Sequence, residues 1–279
     1  MEYRVLPGAP VPAVMGVLNV TPDSFSDGGL FASPDEAARR ARLMVEQGAD
    51  CIDLGGESTR PGAQPVPLQQ ELDRVCPVLE AIRGELDAPV SVDTSSPELM
   101  REAGRLGASL INDVRSFRRE GALRAVVETD LPVCIMHMQG EPATMQQRPH
   151  YGDDVVAEVL AFLRYRRDEL VAGGIPRERI MVDPGFGFGK TVEHNLTLLD
   201  RLETITAEGW PVLVGISRKS MLGTITGRDL EQRMPASVAA ATIAMTRGAA
   251  VLRVHDVAET VDAARLVRAL GQLQGKQHE

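Results

Sequence analysis

Two groups of polar residues in the 279-residue chain have types and spacing that could do chemistry. The first group combines cations with neutral hydrogen-bonding side chains and suits a phosphate or carboxylate anion. Its members are Asn19, Thr59, Arg60, Lys219, Arg253 and His255. The second group offers carboxylates and an amide, which suit a flat, nitrogen-rich heterocycle with several N–H groups. Its members are Asp93, Asn112 and Asp183. The two groups predict a bipartite site, with an acceptor-rich pocket and a cationic rim.

Mg²⁺ is the metal that these residues favour, and zinc is disfavoured. Asn19 could give an amide oxygen to Mg²⁺, a hard ion that usually binds through a few protein oxygens plus substrate phosphates. His137, His150, His194 and His255 show no paired ligand spacing, and we expect His150 and His194 to be surface or capping residues. The three cysteines form no C-x-x-C motif, which predicts reduced thiols rather than a disulfide framework.

The candidate residues follow eight short apolar runs that predict the strands. The runs are near-continuous in Val, Ile, Leu and Met, as expected for parallel strands covered on both faces. They lie at Val14–Leu18, Cys51–Leu54, Pro89–Val92, Ser109–Ile111, Pro132–Met136, Arg179–Val182, Val212–Ile216 and Ala250–Val254. Segments of helical length separate most of them, so the pattern favours an α/β fold of the (β/α)₈ barrel (TIM barrel) type over an open doubly wound sheet. No Gly-x-Gly-x-x-Gly follows the first run, so the usual dinucleotide fingerprint is missing.

A barrel of this kind typically takes about 250 residues, so one domain accounts for the chain. We predict a single domain over residues 1–279, with a short leader at 1–12 and a frayed tail at about 274–279. The carboxyl ends of barrel strands meet at one mouth, where this fold keeps its chemistry. The polar residues that follow the eight runs should therefore converge there.

Local signals predict where helices begin and end. Ser33-Pro34-Asp35-Glu36 is a strong helix start, and the helix should run from Pro34 to Gln47. Pro77 is expected to interrupt a helix from about Leu68 to Glu85. Three glycine–alanine pairs predict a shared helix-to-strand turn. They are Gly48-Ala49, Gly107-Ala108 and Gly248-Ala249.

Two long loops and two aromatic residues are expected at the mouth. Thr21–Phe31 and Ser58–Pro67 exceed a minimal βα loop, and loops of this kind often serve as lids. Phe186 and Phe188 alternate with glycines after the sixth strand. An aromatic residue between glycines in a loop is not expected to be ordinary core, so we predict a ring-stacking role for Phe188.

Composition narrows the class of protein. Hydrophobic residues make up 43% and charged residues 25%, which is ordinary for a soluble globular protein. The formal net charge of −9 disfavours nucleic acid and anionic membranes as partners. No apolar stretch approaches the ~20 residues needed to cross a bilayer, and no secretory signal is visible, so we expect a cytoplasmic protein.

Motifs along nearly the whole chain, from about Val14 to Leu270, resemble those of the dihydropteroate synthase family. The segment from Met15 to Gly29, MGVLNVTPDSFSDGG, is similar to its opening signature, and the segment from Asp53 to Gly62, DLGGESTRPG, to its second. Shorter matches follow: Ser91-Val92-Asp93-Thr94, Ile111-Asn112-Asp113, Met136-His137-Met138-Gln139-Gly140, Asp183 to Lys190 (DPGFGFGK), Ser217-Arg218-Lys219-Ser220 and Arg253-Val254-His255-Asp256.

The resemblance implies a reaction. A (β/α)₈ barrel of this family joins 6-hydroxymethyl-7,8-dihydropterin diphosphate to p-aminobenzoate, giving 7,8-dihydropteroate and diphosphate on the route to folate. The family is also the sulfonamide target. The implied partners are these small molecules and, as a homodimer, a second copy of the chain. Cleavage of the pterin CH₂–O bond would give a ring-conjugated cation and a diphosphate, so a Mg²⁺-assisted dissociative substitution is expected.

The resemblance also implies roles for individual residues. The pterin would contact Asp93, Asn112, Met138, Asp183 and Lys219; the diphosphate would contact Asn19, Thr59, Arg253 and His255; Asn19 would hold Mg²⁺. The p-aminobenzoate pocket would comprise Phe25, Thr59, Arg60, Pro61, Phe188, Lys219 and Ser220. Residues acting on the developing charges would be Asp27, Asp93, Asp183, Lys219, Arg253 and His255.

Three alternatives remain open at this point. Lys219 could form a Schiff base in an aldolase or lyase, because neighbouring cations lower a lysine pKa. A pterin barrel that transfers a methyl group from methyltetrahydrofolate should lack the Ser58–Pro61 segment and the pair Arg253 and His255, which this chain has. A non-catalytic pterin-binding module should have lost one of Asn19, Lys219, Arg253 or His255, and none is missing.

Overall fold

The computed structural model describes residue 6 and residues 8–21, 33–58 and 62–276, with the side chains of 274–276 left aside. Eight strands lie within these residues. They are β1 (Ala13–Asn19), β2 (Cys51–Gly55), β3 (Val90–Asp93), β4 (Leu110–Asp113), β5 (Val133–Met136), β6 (Ile180–Asp183), β7 (Leu213–Val214) and β8 (Val251–Val254). Each coincides with a predicted run to within a few residues.

The eight strands form one parallel sheet that curls into a barrel. Its order is β6-β5-β4-β3-β2-β1-β8-β7, and neighbouring strands in this order are parallel. A bridge between Val182 and Val212 joins the two end strands, and the Val182 N–H donates to the Pro211 carbonyl over 3.0 Å. The predicted (β/α)₈ barrel is therefore confirmed.

Each strand is followed by one or two helices along the described chain. They are α1 (Pro34–Glu46), α2 (Leu68–Glu85), α3 (Pro97–Arg105), α4 (Ala122–Thr129), α5 (Val155–Ala172), α6 (Val192–Asp200), α7 (Leu202–Thr206), α8 (Ser220–Thr226), α9 (Met234–Thr246) and α10 (Val257–Lys276). Helices that pack on the outside of the sheet explain why the strands are apolar on both faces. None of the helices in the described residues has the length and apolar character needed to span a membrane.

The predicted helix ends are largely confirmed. The Ser33 hydroxyl accepts the Glu36 N–H over 3.2 Å, so Ser33 caps α1 and Pro34 fills its first turn. Gly48, Gly107 and Gly248 all have positive φ angles of 85–99°, which fits the predicted helix-to-strand turn. His194 pairs with Thr191 in a capping box at the start of α6, as expected.

The prediction that Pro77 interrupts α2 is wrong. The helix continues from Leu68 to Glu85 with Pro77 inside it. Pro77 and Asp73 are both exposed, so water can reach the backbone carbonyl that loses its N–H partner four residues before the proline. The apolar residues on the other face, Val75, Val78 and Leu79, stay buried and hold the helix against the barrel.

The strand register separates an apolar lower layer inside the barrel from a polar upper layer. An inner cluster contains Met15, Cys51, Leu110, Cys134, Met181, Leu213 and Val251. Because side chains alternate along a strand, the residues two positions later point to the same side. These include Asp53, Asn112, Asp183 and Arg253. The lower layer thus supports the polar groups at the carboxyl ends of the strands.

Candidate active site

A cavity of about 400 Å³ opens at the carboxyl ends of the strands. Its lining includes six of the predicted site residues, which are Asn19, Asp93, Lys219, Ser220, Arg253 and His255. They come from β1, β3, the β7–α8 turn and β8, and only closure of the barrel brings them together. Asp183 borders this space, since a Cβ placed on cavity-lining Gly215 would lie 3.9 Å from its Oδ2.

Arg253 connects the cationic and acidic groups of the site. Its Nε donates to Asp53 Oδ2 over 2.5 Å, and its Nη2 donates to Asp93 Oδ2 over 2.9 Å. Asn112 donates to the same Asp53 oxygen over 3.4 Å. Burial alone lowers the pKa of Arg253, but the carboxylates of Asp53 and Asp93 outweigh burial and raise it above its ordinary value. The guanidinium therefore stays charged and fixed in orientation.

The two carboxyl groups predicted to hold the heterocycle are both buried. Burial raises the pKa of Asp93 well above its usual range, while Arg253 opposes that rise. Burial also raises the pKa of Asp183, to about 6, against a hydrogen bond from the Gly185 N–H and the charges of Lys219 and Arg253. Carboxyl groups with pKa values this high gain from N–H donors of a ligand, which replace lost water.

Lys219 lies between the acidic pocket and an aromatic wall. Its Nζ is 4.0 Å from the centroid of the Phe188 ring, within the range of a cation–π contact. Phe188 packs in a small buried cluster with Val114, Met136, Met138 and Met145. The predicted pterin contact Met138 and the predicted stacking residue Phe188 are therefore neighbours.

The prediction that an aromatic residue between these glycines is not ordinary core is wrong for Phe186. Its side chain is 1% exposed and belongs to the main hydrophobic core between the strands and helices. Gly185, Gly187 and Gly189 all have positive φ, so the two rings between them part, and Phe186 enters the core while Phe188 joins the cluster beside the site. Phe186 is thus ordinary core.

The turn between β7 and α8 holds Lys219 and Ser220 through a strained residue. Arg218 has φ +57°, a left-handed conformation that costs free energy for a non-glycine residue. Its N–H donates to the Ser237 hydroxyl over 2.9 Å, and its guanidinium pairs with Asp256. These contacts fix the turn at the cavity wall.

His255 lies at the predicted position, but its imidazole ring is neutral rather than cationic. Burial, followed by the charges of Arg253 and Arg218, lowers its pKa to about 3. The Ser217 hydroxyl accepts the His255 N–H over 3.2 Å and lies 3.1 Å from the ring Nδ1. If that hydroxyl donates to Nδ1, the ring proton is on Nε2. The histidine would then offer a neutral hydrogen bond rather than a positive charge.

The donor set around Asn19 fits a magnesium ion that arrives with a phosphate ligand. A Cβ on Gly55 would lie 3.4 Å from Asn19 Oδ1 and 3.9 Å from Asp93 Oδ2, so the glycine leaves space between two oxygen atoms. Within the described residues, no three His, Cys, Asp or Glu side chains form a metal-binding group. A hard cation held by one amide oxygen would need oxygen ligands from the substrate, which is usual for Mg²⁺.

Several residues of the site were not predicted from the sequence. Glu57 and Arg233 line the cavity, and Asp53 anchors Arg253. Asp53 and Glu57 lie in the second signature, so their positions within and just after β2 were a usable signal. Arg233 precedes α9, far from any motif, and nothing in the sequence marks it. Phe25, Asp27, Thr59, Arg60 and Pro61 lie outside the described residues.

Comparisons with known proteins agree with this geometry. A family model described as pterin binding enzyme matches residues 15–255. Dihydropteroate synthase of Escherichia coli K12 is 51% identical over 269 residues, covering 96% of this chain and 95% of that protein. A Yersinia pestis dihydropteroate synthase solved with a sulfonamide drug complex has a TM-score of 0.90 at 49% identity, covering 94% of this chain and 95% of that one.

A second solved structure, Xanthomonas albilineans dihydropteroate synthase with 4-aminobenzoic acid, has a TM-score of 0.88 at 50% identity. It covers 94% of this chain and 93% of its own. The match in sequence and in backbone thus extends over nearly the whole length of each protein. The chain belongs to the dihydropteroate synthase family of pterin-binding enzymes.

Proposed function

We propose that the chain condenses 6-hydroxymethyl-7,8-dihydropterin diphosphate with p-aminobenzoate to give 7,8-dihydropteroate and diphosphate. The observation that carries the proposal is the joining of acceptors for a heterocycle and donors for an anion in one cavity, with Arg253 bonded to Asp53 and Asp93. The family membership supports the same reaction. It also argues against the Schiff-base, methyl-transfer and non-catalytic alternatives.

The pterin ring would bind on the acidic side of the cavity. Asp93, Asn112 and Asp183 offer oxygen atoms to the ring N–H groups, and Lys219 offers N–H to a ring acceptor. Met138 would pack against a ring face. The raised pKa values of both carboxyl groups support this role, because ligand N–H groups would stabilise their ionised forms. Those ionised carboxylates would stabilise positive charge that develops on the ring.

The diphosphate would bind on the cationic side. Arg253 offers a permanent charge and His255 a neutral N–H, while Asn19 would hold Mg²⁺ together with oxygens of the diphosphate and with Thr59 nearby. Bound Mg²⁺ would supply charge neutralisation for the leaving group. The C–O bond breaks with both electrons leaving on the diphosphate. Arg253 and His255 stabilise that charge in a water-poor cavity, as in electrostatic catalysis generally.

p-Aminobenzoate would bind beside Phe188, Lys219 and Ser220, with Phe25, Thr59, Arg60 and Pro61 completing its pocket. Its amine lone pair forms the new C–N bond to the pterin methylene carbon, and the nitrogen then releases one proton. The arylamine is neutral at pH 7, so the step needs no strong general base. Asp27 would add a carboxylate near the developing cation. Sulfonamides should compete for the same pocket, as the Yersinia pestis relative solved with such a drug suggests.

We also propose that the enzyme is a cytoplasmic homodimer. Exposed apolar side chains lie on the last two helices, and they suit a contact with a second copy of the chain. They are Ile243 on α9 and Leu266, Leu270 and Leu273 on α10. Three reduced cysteines, none in a disulfide, support a reducing compartment.

The proposed reaction is tested by mixing the pterin diphosphate, p-aminobenzoate and Mg²⁺ with the protein and measuring diphosphate and dihydropteroate together. We expect the two products in equal amounts. Arg253→Ala and Lys219→Ala should each lower turnover by at least about a hundredfold, the usual scale for losing one electrostatic contact to a leaving group. Arg148→Ala, which changes an exposed arginine that does not line the cavity, is the matched control. Diphosphate release without dihydropteroate, or normal turnover in both cavity variants, would contradict the proposal.

A further inference from the structure

The loop between β6 and α6 holds its backbone through side chains rather than through secondary structure. Gly185, Gly187 and Gly189 have φ of +72°, +77° and +64°. Gln146 donates to the Gly187 carbonyl over 2.6 Å, and the Tyr151 hydroxyl donates to the Gly189 carbonyl over 2.9 Å. Buried carbonyls need donors, and these contacts supply them for Gly187 and Gly189.

Lys190, which is buried, donates to two further carbonyls of this loop, those of Gly185 and Phe188. The residue is 3% exposed, and its Nζ lies 2.9 Å from the Gly185 carbonyl oxygen, 3.2 Å from that of Phe188 and 2.9 Å from the ring Nδ1 of His137. An ammonium group has three protons, and these three acceptors match them. The His137 carbonyl oxygen is a fourth, longer neighbour at 3.4 Å. Lys190 therefore ties the end of β5 to both ends of the Gly185–Phe188 turn.

His137 is suited to be an acceptor for this ammonium. Its ring is buried, and it contacts Phe162 edge-on at 5.0 Å between centroids. Burial, followed by the charge of Lys190, lowers its pKa well below the ordinary value. A neutral ring whose Nδ1 accepts from Lys190 has its proton on Nε2.

The route from the Lys190 ammonium to the proposed p-aminobenzoate side of the cavity runs through Phe188, while its bond to the Gly185 carbonyl leads toward Asp183. The ammonium binds the carbonyl of Phe188, and the ring of the same Phe188 lies 4.0 Å from Lys219 Nζ. A shift of that backbone would move the ring against both Lys219 and the Met138 cluster. Lys190 itself does not line the cavity.

We propose that Lys190 is a positioning residue that acts through Phe188 on the p-aminobenzoate half of the site. The proposal rests on the proposed function. Lys190 does not line the cavity, and Phe188 belongs to the proposed p-aminobenzoate pocket, so its effect should be larger on the KM for p-aminobenzoate than on the KM for the pterin diphosphate.

The charge of Lys190 should make this effect depend on pH. Burial lowers its pKa to about 7, partly offset by Asp183 and reinforced by Lys219. The titratable groups that face it are His137 from the end of β5, Asp183 from β6, Lys219 from the β7–α8 turn and Tyr151 from the segment before α5. Above about pH 7 the amine loses one proton and turns a lone pair toward its acceptors. The KM for p-aminobenzoate should then rise.

Lys190→Met tests the role, because it keeps an unbranched side chain only one atom shorter and removes all three donors. We expect the KM for p-aminobenzoate to rise about tenfold or more, the scale expected when buried carbonyls lose their donor, with the KM for the pterin diphosphate changed less than about threefold. Tyr151→Phe is the matched control, since it removes one neutral donor from the Gly189 carbonyl, outside the Gly185–Phe188 turn that Lys190 holds. It should change neither KM by more than about threefold.

A double-mutant cycle tests the route through the ring. In a Phe188→Ala background, Lys190→Met should raise the KM for p-aminobenzoate no further, because residues that act as one unit are not additive. Independent, additive effects would overturn the proposal, and so would an equal rise in both KM values. If Lys190→Met does not fold, the test uses the wild type and Phe188→Ala instead. The KM for p-aminobenzoate must then rise above about pH 7 in the wild type and stay constant with pH in Phe188→Ala. An inactive wild type would refute the proposed function, whereas an active wild type without these effects would refute only the role of Lys190.

Discussion

Arg253 shows how a single side chain can serve two halves of a cavity. Its Nε and Nη2 are committed to Asp53 and Asp93, and the rest of the guanidinium faces a cavity proposed to take the diphosphate. Removing one partner of a buried ion pair leaves an uncompensated charge, which is strongly destabilising. The acidic and cationic groups are therefore one network, and variants in one half should be measured for binding to both.

His255 gives a prediction at the residue scale. Its pKa of about 3 in the folded protein lies below the ordinary 6.5, so the folded state excludes a proton that the unfolded chain binds. Stability from this histidine is present above about pH 6.5 and is lost as the pH falls toward 3. Relative to His255→Gln, the wild type should lose about 2 kcal/mol of unfolding free energy between pH 7 and pH 4.5.

Urea unfolding of both proteins across this pH range measures the difference. His150→Gln, which makes the same substitution at an exposed histidine, is the control. A constant difference between wild type and His255→Gln from pH 7 to 4.5 would contradict a buried, neutral imidazole.

The site residues could be predicted from the sequence where a motif or the end of a strand marks their position. Asn19, Asp93, Lys219 and Arg253 all lie around the cavity. The neutral state of His255 was not predictable, because it depends on burial and on two arginines, one of them 37 residues earlier in the chain. The anchoring of Arg253 by Asp53 depends on a contact across 200 residues, which no local pattern shows.

At the scale of elements, the glycines after β6 give a second prediction. A Cβ on Gly185 would lie 1.9 Å from the His137 carbonyl oxygen, in addition to the cost of its φ of +72°. Gly227 has a similar φ of +67° at the end of α8, but nothing lies within 4 Å of the added atom. Gly185→Ala is therefore destabilised by both backbone strain and a backbone clash, whereas Gly227→Ala is destabilised by backbone strain alone.

We expect Gly227→Ala to lower the free energy of unfolding by about 1–2 kcal/mol, and Gly185→Ala by about 4 kcal/mol or more. Gly185→Ala should also lose affinity for the pterin, because the Gly185 N–H bonds Asp183. Urea unfolding measures the first effect and calorimetric titration the second. Equal destabilisation by the two substitutions would show that the loop can move away from His137.

The elements themselves were largely predictable, and the errors have physical causes. Eight apolar runs mark the strands because both faces of a parallel barrel are covered. The expectation for Pro77 failed because a proline on the exposed face of a helix leaves a carbonyl that water can satisfy. The expectation for Phe186 failed because alternating glycines do not indicate to which side each intervening ring turns.

At the scale of the whole molecule, barrel closure makes the site. The lining residues span positions 19 to 255, and the bridge between Val182 and Val212 completes the ring that gathers them. The protein carries a net charge of −9, yet Arg218, Lys219, Arg233 and Arg253 all border one cavity. A local cluster of cations can thus attract an anionic substrate despite an overall field of the opposite sign.

The central claim is that this cavity is bipartite, and separate binding of the two halves of the substrate tests it most directly. Calorimetric titration should use 6-hydroxymethylpterin, which has no diphosphate, and inorganic diphosphate with Mg²⁺. Asp183→Asn should weaken binding of the pterin by about tenfold or more and leave diphosphate binding unchanged or tighter. His255→Gln should weaken diphosphate binding and leave pterin binding unchanged. Equal weakening of both ligands by each variant, or no change in either, would contradict the account.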